Sequence, residues 1–404
     1  MVPDLGMPNQ SLHVTPQQLA ESVASLVRIP SVNPLQAGQK AEAAGPIGEC
    51  VLAEHLASKF RELGAREVVL DQVIDGRSNL YGWFPGRTDR LVVLDVHTDT
   101  VSVEHMTDPP FDGRIEHGCV WGRGALDTKA SLGVILALLT TWRDAGQRPE
   151  PNLLVVGSVG EEAGGLLGAA RFRQWAEQGG LEIDQMIVAE PTQMAPIHGH
   201  KGGVALRIEA IGATAHSALP HLGENAIEAI APVIAALQAE HERLQTTAAT
   251  TELGHGTLSV TLIEGGVGSN VIPDSCTITA TRRIVPGEDS TEVFHQLVAI
   301  ADAACPLPTR ITSVYPPNDD GSIGSGAFYQ PADSPFARAL ATWSGRSPQV
   351  APFGTNALRY SDLARAMVVF GPGSIDDSHQ ATESISIEDL AALANVYTTW
   401  LNPT

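Results

Sequence analysis

Four short runs of this chain are apolar at nearly every position: LVVLDVH ending at His97, NLLVVGSV ending at Val159, MIVAE ending at Glu190 and MVVFG ending at Gly371. Each is short and rich in β-branched residues, the texture of strands buried on both faces. Helical segments lie between them. Thr15 followed by Pro16 opens a helix, a hydroxyl N-cap and then proline at the first helical position. Leu19, Val23 and Leu26 mark its apolar face, and Pro30 stops it. A second helix is expected from about Ile47 to Leu63, closed by Gly64 as a C-cap glycine. A third is expected from Lys129 to Ala145, with Gly146 behind it. This alternation predicts an α/β domain of three layers, with ligands gathered at the carboxyl ends of the strands.

From about Gly199 the pattern changes. VALRIEAIG, GTLSVTLIEGG and CTITATRRI alternate apolar with polar positions, the period of a sheet with one solvated face. Two helices accompany them, about Glu224 to Leu244 and Ser290 to Ala303. Gln245 to Gly256, rich in Thr and Ala, reads as a flexible connection. After roughly Ile311 the buried texture returns. Residues 199–312 are therefore expected to be an α+β domain inserted into an α/β domain built from 1–198 and 313–404, and 404 residues suit two domains.

Composition narrows the partners. The apolar fraction is 43% and the net charge −21, which argues against nucleic acid and anionic membrane surfaces. A small anionic substrate would need a dedicated cation. No stretch reaches the ~20 apolar residues that span a bilayer. The start, MVPDLGMPNQ, has neither a basic nor an apolar run, so no signal peptide is expected and the cytoplasm is the expected compartment. Cys50, Cys119, Cys276 and Cys305 show no Cys-x-x-Cys spacing and read as buried thiols of a reducing compartment.

The candidate chemistry lies where the apolar runs end. His97, Asp127, Glu162, Glu190 and His379 are potential metal ligands from separate stretches, enough to hold two divalent ions with one carboxylate shared. His97 and Asp99 stand two apart, and a ligating histidine needs its other ring nitrogen held, commonly by a carboxylate. The alternative is a surface His-x-Asp pair. Asp127 follows GRGAL and precedes a helix, so it could bridge two ions or merely cap the helix. Glu161 and Glu162 are adjacent acids after a buried strand and would repel each other unless cations or protons intervene. Glu162 suits a ligand, and Glu161 a base that takes a proton from metal-activated water and returns it to a leaving amine. Glu190 precedes Pro191, and His379 follows the turn containing Gly371 and Gly373. No Gly-x-Ser-x-Gly elbow, phosphate-binding loop or His-Glu-x-x-His appears.

Taken together, HTDT, GRGALDTKA, GEE, AEPT, GATAHSALPHLGENAI, GGVGSNVIPD, RRIVPGED and GPGSIDDSHQATE occur in an order that resembles the dinuclear zinc amidohydrolase and exopeptidase family of acetylornithine deacetylase, succinyl-diaminopimelate desuccinylase and bacterial glutamate carboxypeptidase. The resemblance implies a catalytic metallopeptidase domain around a mixed, mostly parallel sheet, and a two-layer α+β dimerisation or lid domain. It implies that His97, Asp127 and Glu190 hold one ion while Asp127, Glu162 and His379 hold the other. Glu161 then matches the general base and Asp99 the aspartate that orients His97. A cis peptide between Asp127 and Thr128 is also implied. From the inserted domain, His216 matches a histidine that reaches a partner subunit's site to stabilise an oxyanion. Asn270 matches a polar residue of the same domain, and Arg283 an arginine that grips a substrate carboxylate. His198 and His200 are left as structural.

Two departures bear on substrate. Thr281 stands where relatives often carry an aspartate two residues before the arginine, so a carboxylate orienting Arg283 must come from elsewhere. In Gly354-Thr355-Asn356-Ala357, Asn356 replaces an acid that could meet a substrate ammonium, which weakens a diamino substrate. The expected protein is a homodimeric hydrolase with two divalent ions per subunit: zinc, or else cobalt or manganese. It would act on an N-acyl amino acid or small peptide-like amide with a free carboxylate. Carboxypeptidase or dipeptidase action is the alternative within catalysis, and a non-catalytic metal-binding dimer the alternative outside it.

Overall fold

The computed structural model describes residues 13–74, 76–246, 249, 251–318 and 320–402. MVPDLGMPNQ and residues 247, 248 and 250 of the expected connection lie outside them. The chain divides into two compact units: residues 1–197, 332–348 and 362–404, and residues 198–331 and 349–361.

The first unit is built on the four apolar runs. Asn152–Ser158, Leu91–His97, Gln185–Val188 and Met367–Val369 lie side by side and parallel, and the hairpin Glu67–Ile74 and Arg77–Phe84 extends the sheet antiparallel beyond Asn152–Ser158. Leu91–His97 is buried at every position, as its unbroken apolar texture requires. Layers cover both faces. Phe60, from the helix Cys50–Glu62, meets Phe84 edge-on at 5.4 Å, while Tyr81 turns the other way onto Phe172 and Trp175 of the helix Leu167–Gln178. Helices Pro16–Val27, Lys129–Asp144 and Ile387–Leu401 share the main core with Phe60 and Leu94. Thr15 caps the first of these in a full capping box with Gln18. The second helix starts at Cys50, three residues later than expected, because Pro46 and Gly48 lie inside the loop before it.

The second unit has the alternating strands. Thr257–Gly265, Ser275–Ile284, Gly202–Ile211 and Thr309–Ser313 form one antiparallel sheet in that order. Val204, Leu206, Ile208 and Ala210 bury one face with Cys276, Ile278 and Ala280, beneath helices Ala226–Thr246 and Ser290–Ala304.

The boundary of this unit differs from the expected 199–312. Residues 313–331 stay with it because Ser313 pairs with Leu206, Ser325 bridges Gly203, and Phe328 pairs with His200. Residues 349–361 join it because Thr355 bonds to His200. The cysteines also need correction: Cys276 alone is buried, Cys119 and Cys305 are partly covered, and Cys50 is exposed on the first turn of its helix. All four are free thiols. No helix among the described residues is long and apolar enough to cross a membrane.

Candidate metal centre and active site

The parallel strands deliver their side chains to one end of the sheet. His97 is the last residue of Leu91–His97 and is buried. Glu161 and Glu162 lie just past Asn152–Ser158, and Glu190 just past Gln185–Val188. His379 follows Met367–Val369 after a longer turn that contains Gly373 at φ 66°, and takes φ 63° itself. Asp127 sits on the loop before the helix Lys129–Asp144, where Gly122 and Gly124 have φ 135° and 81°. The peptide between Asp127 and Thr128 is cis, as the resemblance implies. Thr128 occupies the N-cap of that helix and no side chain caps it, so Asp127 is not a capping residue.

These residues converge. His97 Nε2 is 3.0 Å from Asp127 Oδ1, and His379 Nε2 lies 3.3 Å from Asp127 Oδ2 and 3.0 Å from Glu162 Oε2. Asp127 therefore stands between the two imidazoles. Ligand atoms of His97, Asp127 and Glu162 all lie within 4.8 Å of one another, and so do those of His97, Glu161 and Glu190. Glu161 thus shares the His97–Glu190 side of the cluster.

One assignment changes in form. The His97 ring does contact Asp99, but Nδ1 meets the main-chain oxygen at 3.0 Å while the carboxylate is 3.7 Å away. That carboxylate instead accepts the amides of Glu161 and Glu162 at 3.1 and 3.0 Å and the Asn33 Nδ2–H at 2.7 Å. Its oxygens are turned toward the acidic loop, which draws them off the ring.

The electrostatics are those of a site built for cations. Burial pushes the Glu161 carboxyl well above its ordinary range, and the charges of Glu162, Asp99 and Asp127 add to that against the pull of His97. Burial and the Glu161 charge do the same to Glu190, and burial with Asp127 raises Glu162 to about 7. For His97, burial opposes protonation but is outweighed by the bond to Asp127 and the surrounding acids, so its pKa rises. Bonds to Asp127 and Glu162 raise His379 to about 10. Burial would raise Asp127, yet the bonds from His379 and His97 hold it below its ordinary value. Among the described residues no lysine or arginine is ion-paired with Asp127, Glu161, Glu162 or Glu190. Imidazole nitrogens and carboxylate oxygens are a donor set for zinc-like divalent ions, and only positive charge relieves such a cluster without protonating it. The residues fit two such ions.

Sequence reasoning missed a surrounding set of buried groups. Glu383 accepts the amides of Leu126 and Asp127 at 3.0 and 3.2 Å and is ion-paired with buried Arg123. Glu49, held by Arg77, accepts the Gly160 amide at 3.3 Å. Lys129 is buried, which lowers its pKa to about 7, and it donates to the Ile29 carbonyl. Glu383 lies within GPGSIDDSHQATE and was findable there; Asn33 and Glu49 carry no local signal.

The remaining candidates belong to the second unit and form two groups. Ala215–His216 pairs with Val271–Ile272, and Ser217 donates to the Asn270 carbonyl at 3.0 Å, so exposed His216 and Asn270 are neighbours. His216 Nδ1 accepts the Ala218 amide, which leaves Nε2 to carry the proton of the neutral ring. Elsewhere in the unit, Arg283 is exposed and forms no ion pair among the described residues; a Cβ added at Gly354 would lie 4.0 Å from its Nη1. Among the described residues no carboxylate is ion-paired with Arg283 in place of the one missing at Thr281. Thr355 and Asn356, which follow Gly354, are buried, and Thr355 Oγ1 meets His200 Nε2 at 3.0 Å and accepts the Ala357 amide.

Two imidazoles and four carboxylates gathered at one end of a parallel sheet define a metallohydrolase, and the chain belongs to peptidase family M20/M25/M40, whose model matches residues 93–402. It is 32% identical over 301 residues to an acetylornithine deacetylase of Myxococcus xanthus, covering 73% of this chain and 75% of that protein. Its fold is similar to an M20-family metallo-carboxypeptidase of Sulfolobus solfataricus, with TM-score 0.76, 17% identity and coverage of 95% and 98% of the two chains. A dinuclear metal-binding M20 peptidase of Bacillus subtilis aligns with TM-score 0.61, 15% identity and coverage of 96% and 98%. The protein is a hydrolase of this family, built on its dinuclear metal-binding fold.

Proposed function

We propose that the protein hydrolyses the amide bond of an N-acyl amino acid, or of a small peptide-like amide, that bears a free carboxylate. The observation that carries this reading is the convergence of His97, Asp127, Glu161, Glu162, Glu190 and His379. His97, Asp127 and Glu190 would hold one divalent ion and Asp127, Glu162 and His379 the other, zinc being the first choice and cobalt or manganese acceptable to the same donors. Bound there, such ions lower the pKa of water to about 7 and polarise a carbonyl.

The chain's own residues supply the rest. Glu161, kept basic by its surroundings, takes the proton of the attacking water and delivers it to the departing amine. Arg283, exposed on the second unit and in no ion pair among the described residues, binds both oxygens of the substrate carboxylate through its planar fork. His216 carries an Nε2–H that can donate to the developing oxyanion. Asn270, Thr355 and Asn356 line the substrate's path, and the uncharged Asn356 favours substrates without a second ammonium. The working form is a homodimer, in which His216 serves the partner's reaction, and the compartment is the cytoplasm. The edge strand Thr257–Gly265 supports the dimer, since Leu262 and Ile263 are 61% and 57% exposed on it.

Glu161→Gln should retain two metal equivalents while lowering kcat by about 10²–10⁴-fold, the range for a lost general base. Metal loss on that substitution would make Glu161 a ligand and overturn its role. A panel of N-acetyl, N-succinyl and N-carbamoyl amino acids against dipeptides separates deacylase from peptidase action.

A further inference from the structure

The acidic loop that carries Glu161 and Glu162 is built from residues with wide backbone freedom. Gly160, Gly164 and Gly165 have φ 73°, 111° and 83°, and Leu166 has φ 61°. Among the described residues, none of 160–163 makes a main-chain to main-chain hydrogen bond. A half-buried loop must satisfy its covered polar groups somewhere, and here side chains from remote segments do it.

Asn33 is the centre of that arrangement. It is fully buried, and its Nδ2 donates both to Asp99 Oδ2 at 2.7 Å and to the Ala163 carbonyl at 2.9 Å. Its Oδ1 accepts the Leu35 amide at 3.0 Å, and its own amide bonds to Thr100 O at 2.8 Å, so the side chain has no freedom left. Asp99 passes the hold on by accepting the amides of Glu161 and Glu162. Gln36, three residues along, donates Nε2 to the Glu162 carbonyl at 3.0 Å.

We propose that Asn33 is a positioning residue for the hydrolytic reaction: by clasping Asp99 and Ala163 together, it fixes the loop that presents Glu161 and Glu162. The inference rests on the reading of Glu161 as the base and Glu162 as a ligand. It also gives the Asp99 carboxylate a task beyond the His97 ring, namely to bind the amides of the loop. Without Asn33 the loop keeps its sequence but loses the anchor that joins its far end, Ala163, to the His97–Asp99 turn.

The test uses the full-length, metal-loaded protein. Asn33→Ala should lower kcat by about 10–100-fold while KM moves by less than roughly threefold, the pattern of a displaced reacting group. Hydrogen exchange in the peptide spanning residues 160–166 should rise, and beyond the peptide carrying Leu35, which loses its bond to Asn33 directly, the remaining peptides should be unchanged. In a cobalt titration of metal-free protein, one equivalent should weaken by about 10-fold or more because Glu162 shares the loop, and the other should not. A merely structural role would lower the melting temperature without the kcat–KM split or the local exchange, and would overturn the proposal. If Asn33→Ala does not fold, Gln36→Ala takes the same measurements, with a fall of roughly 3–10-fold in kcat expected; a Gln36→Ala protein indistinguishable from wild type would then defeat the clasp. Glu161→Gln separates the two levels. If it stays active, the base reading fails and the clasp with it. If it is inactive while Asn33→Ala keeps its kcat and its exchange pattern, the base reading stands and Asn33 has no positioning role.

Discussion

Asn356 and His200 show how single side chains set preference and pH response. Asn356 is buried, so a carboxylate in its place would be costly unless a cation met it. Asn356→Glu should therefore lower stability without substrate and shift kcat/KM toward amides carrying a second ammonium by about 10-fold or more, judged by competing a neutral N-acyl amino acid against a diamino analogue. An unchanged ratio would mean that the side chain does not meet substrate. His200 supports the neighbouring turn through Thr355, and burial lowers its pKa to about 4. The unfolded chain takes up that proton near 6.5, so stability is intact above pH 6.5 and declines as pH falls toward 4. His200→Asn should flatten that acid limb, by at most about 3 kcal/mol in urea unfolding at pH 4.5 compared with pH 7. At this scale the sequence revealed residues that do chemistry at strand ends. It hid those whose task is to hold main chain: Asn33 and Glu49 sit in segments with no periodicity, and their partners are remote in sequence.

The four parallel strands of the first unit were readable because both their faces are buried, which leaves an unbroken apolar run. The hairpin Glu67–Ile74 and Arg77–Phe84 was not, for two physical reasons. Its outer strand has no buried position, and its inner strand buries Arg77 and Asn79 in polar networks, so neither shows a clean apolar period. The second unit's strands alternate as their half-covered sheet demands, and they were legible for that reason. Its edge strand Thr257–Gly265 breaks the alternation at a bulge between Val260 and Leu262, after which consecutive Leu262 and Ile263 both face solvent. An apolar edge of this kind is an association surface unless something covers it. Leu262→Lys should raise the dimer Kd about 30-fold, corresponding to ~2 kcal/mol at a central interface position, as read by sedimentation equilibrium. If His216 serves the partner, mixing His216→Ala with Glu161→Gln protein should restore activity, and Leu262→Lys on both should abolish that restoration. An unaltered sedimentation profile for Leu262→Lys would remove this edge from the dimer.

At the scale of the whole molecule, the chain carries a net charge of −21 and gathers four carboxylates and two imidazoles at one site. Holding those carboxylates ionised without cations opposes folding, and the pKa shifts give the sign. Glu162 rises from 4.5 to about 7, Glu161 and Glu190 rise well above their ordinary range, and His379 rises to about 10. Each group binds its proton more tightly folded than unfolded. Their contributions are therefore complete below about pH 4.5 for the glutamates and 6.5 for His379, and are lost as pH climbs through the raised values. Asp127, held low by its two histidines, acts in the opposite sense, but only below its ordinary value near 3.8. From pH 5 to 9 the direction is thus common to these site groups, whereas His200 and Lys129, whose pKa values burial lowers, act in the opposite sense in chelated and zinc-loaded protein alike. Divalent ions replace the lost protons and bind the ionised form, so the rise in Tm on adding zinc should grow over the same interval. Calorimetry of chelated and zinc-loaded protein at pH 5, 7 and 9 measures that rise. A zinc-induced rise that stays level or shrinks across that range would mean that these acids are not crowded together without relief, and the metal centre would lose its physical basis.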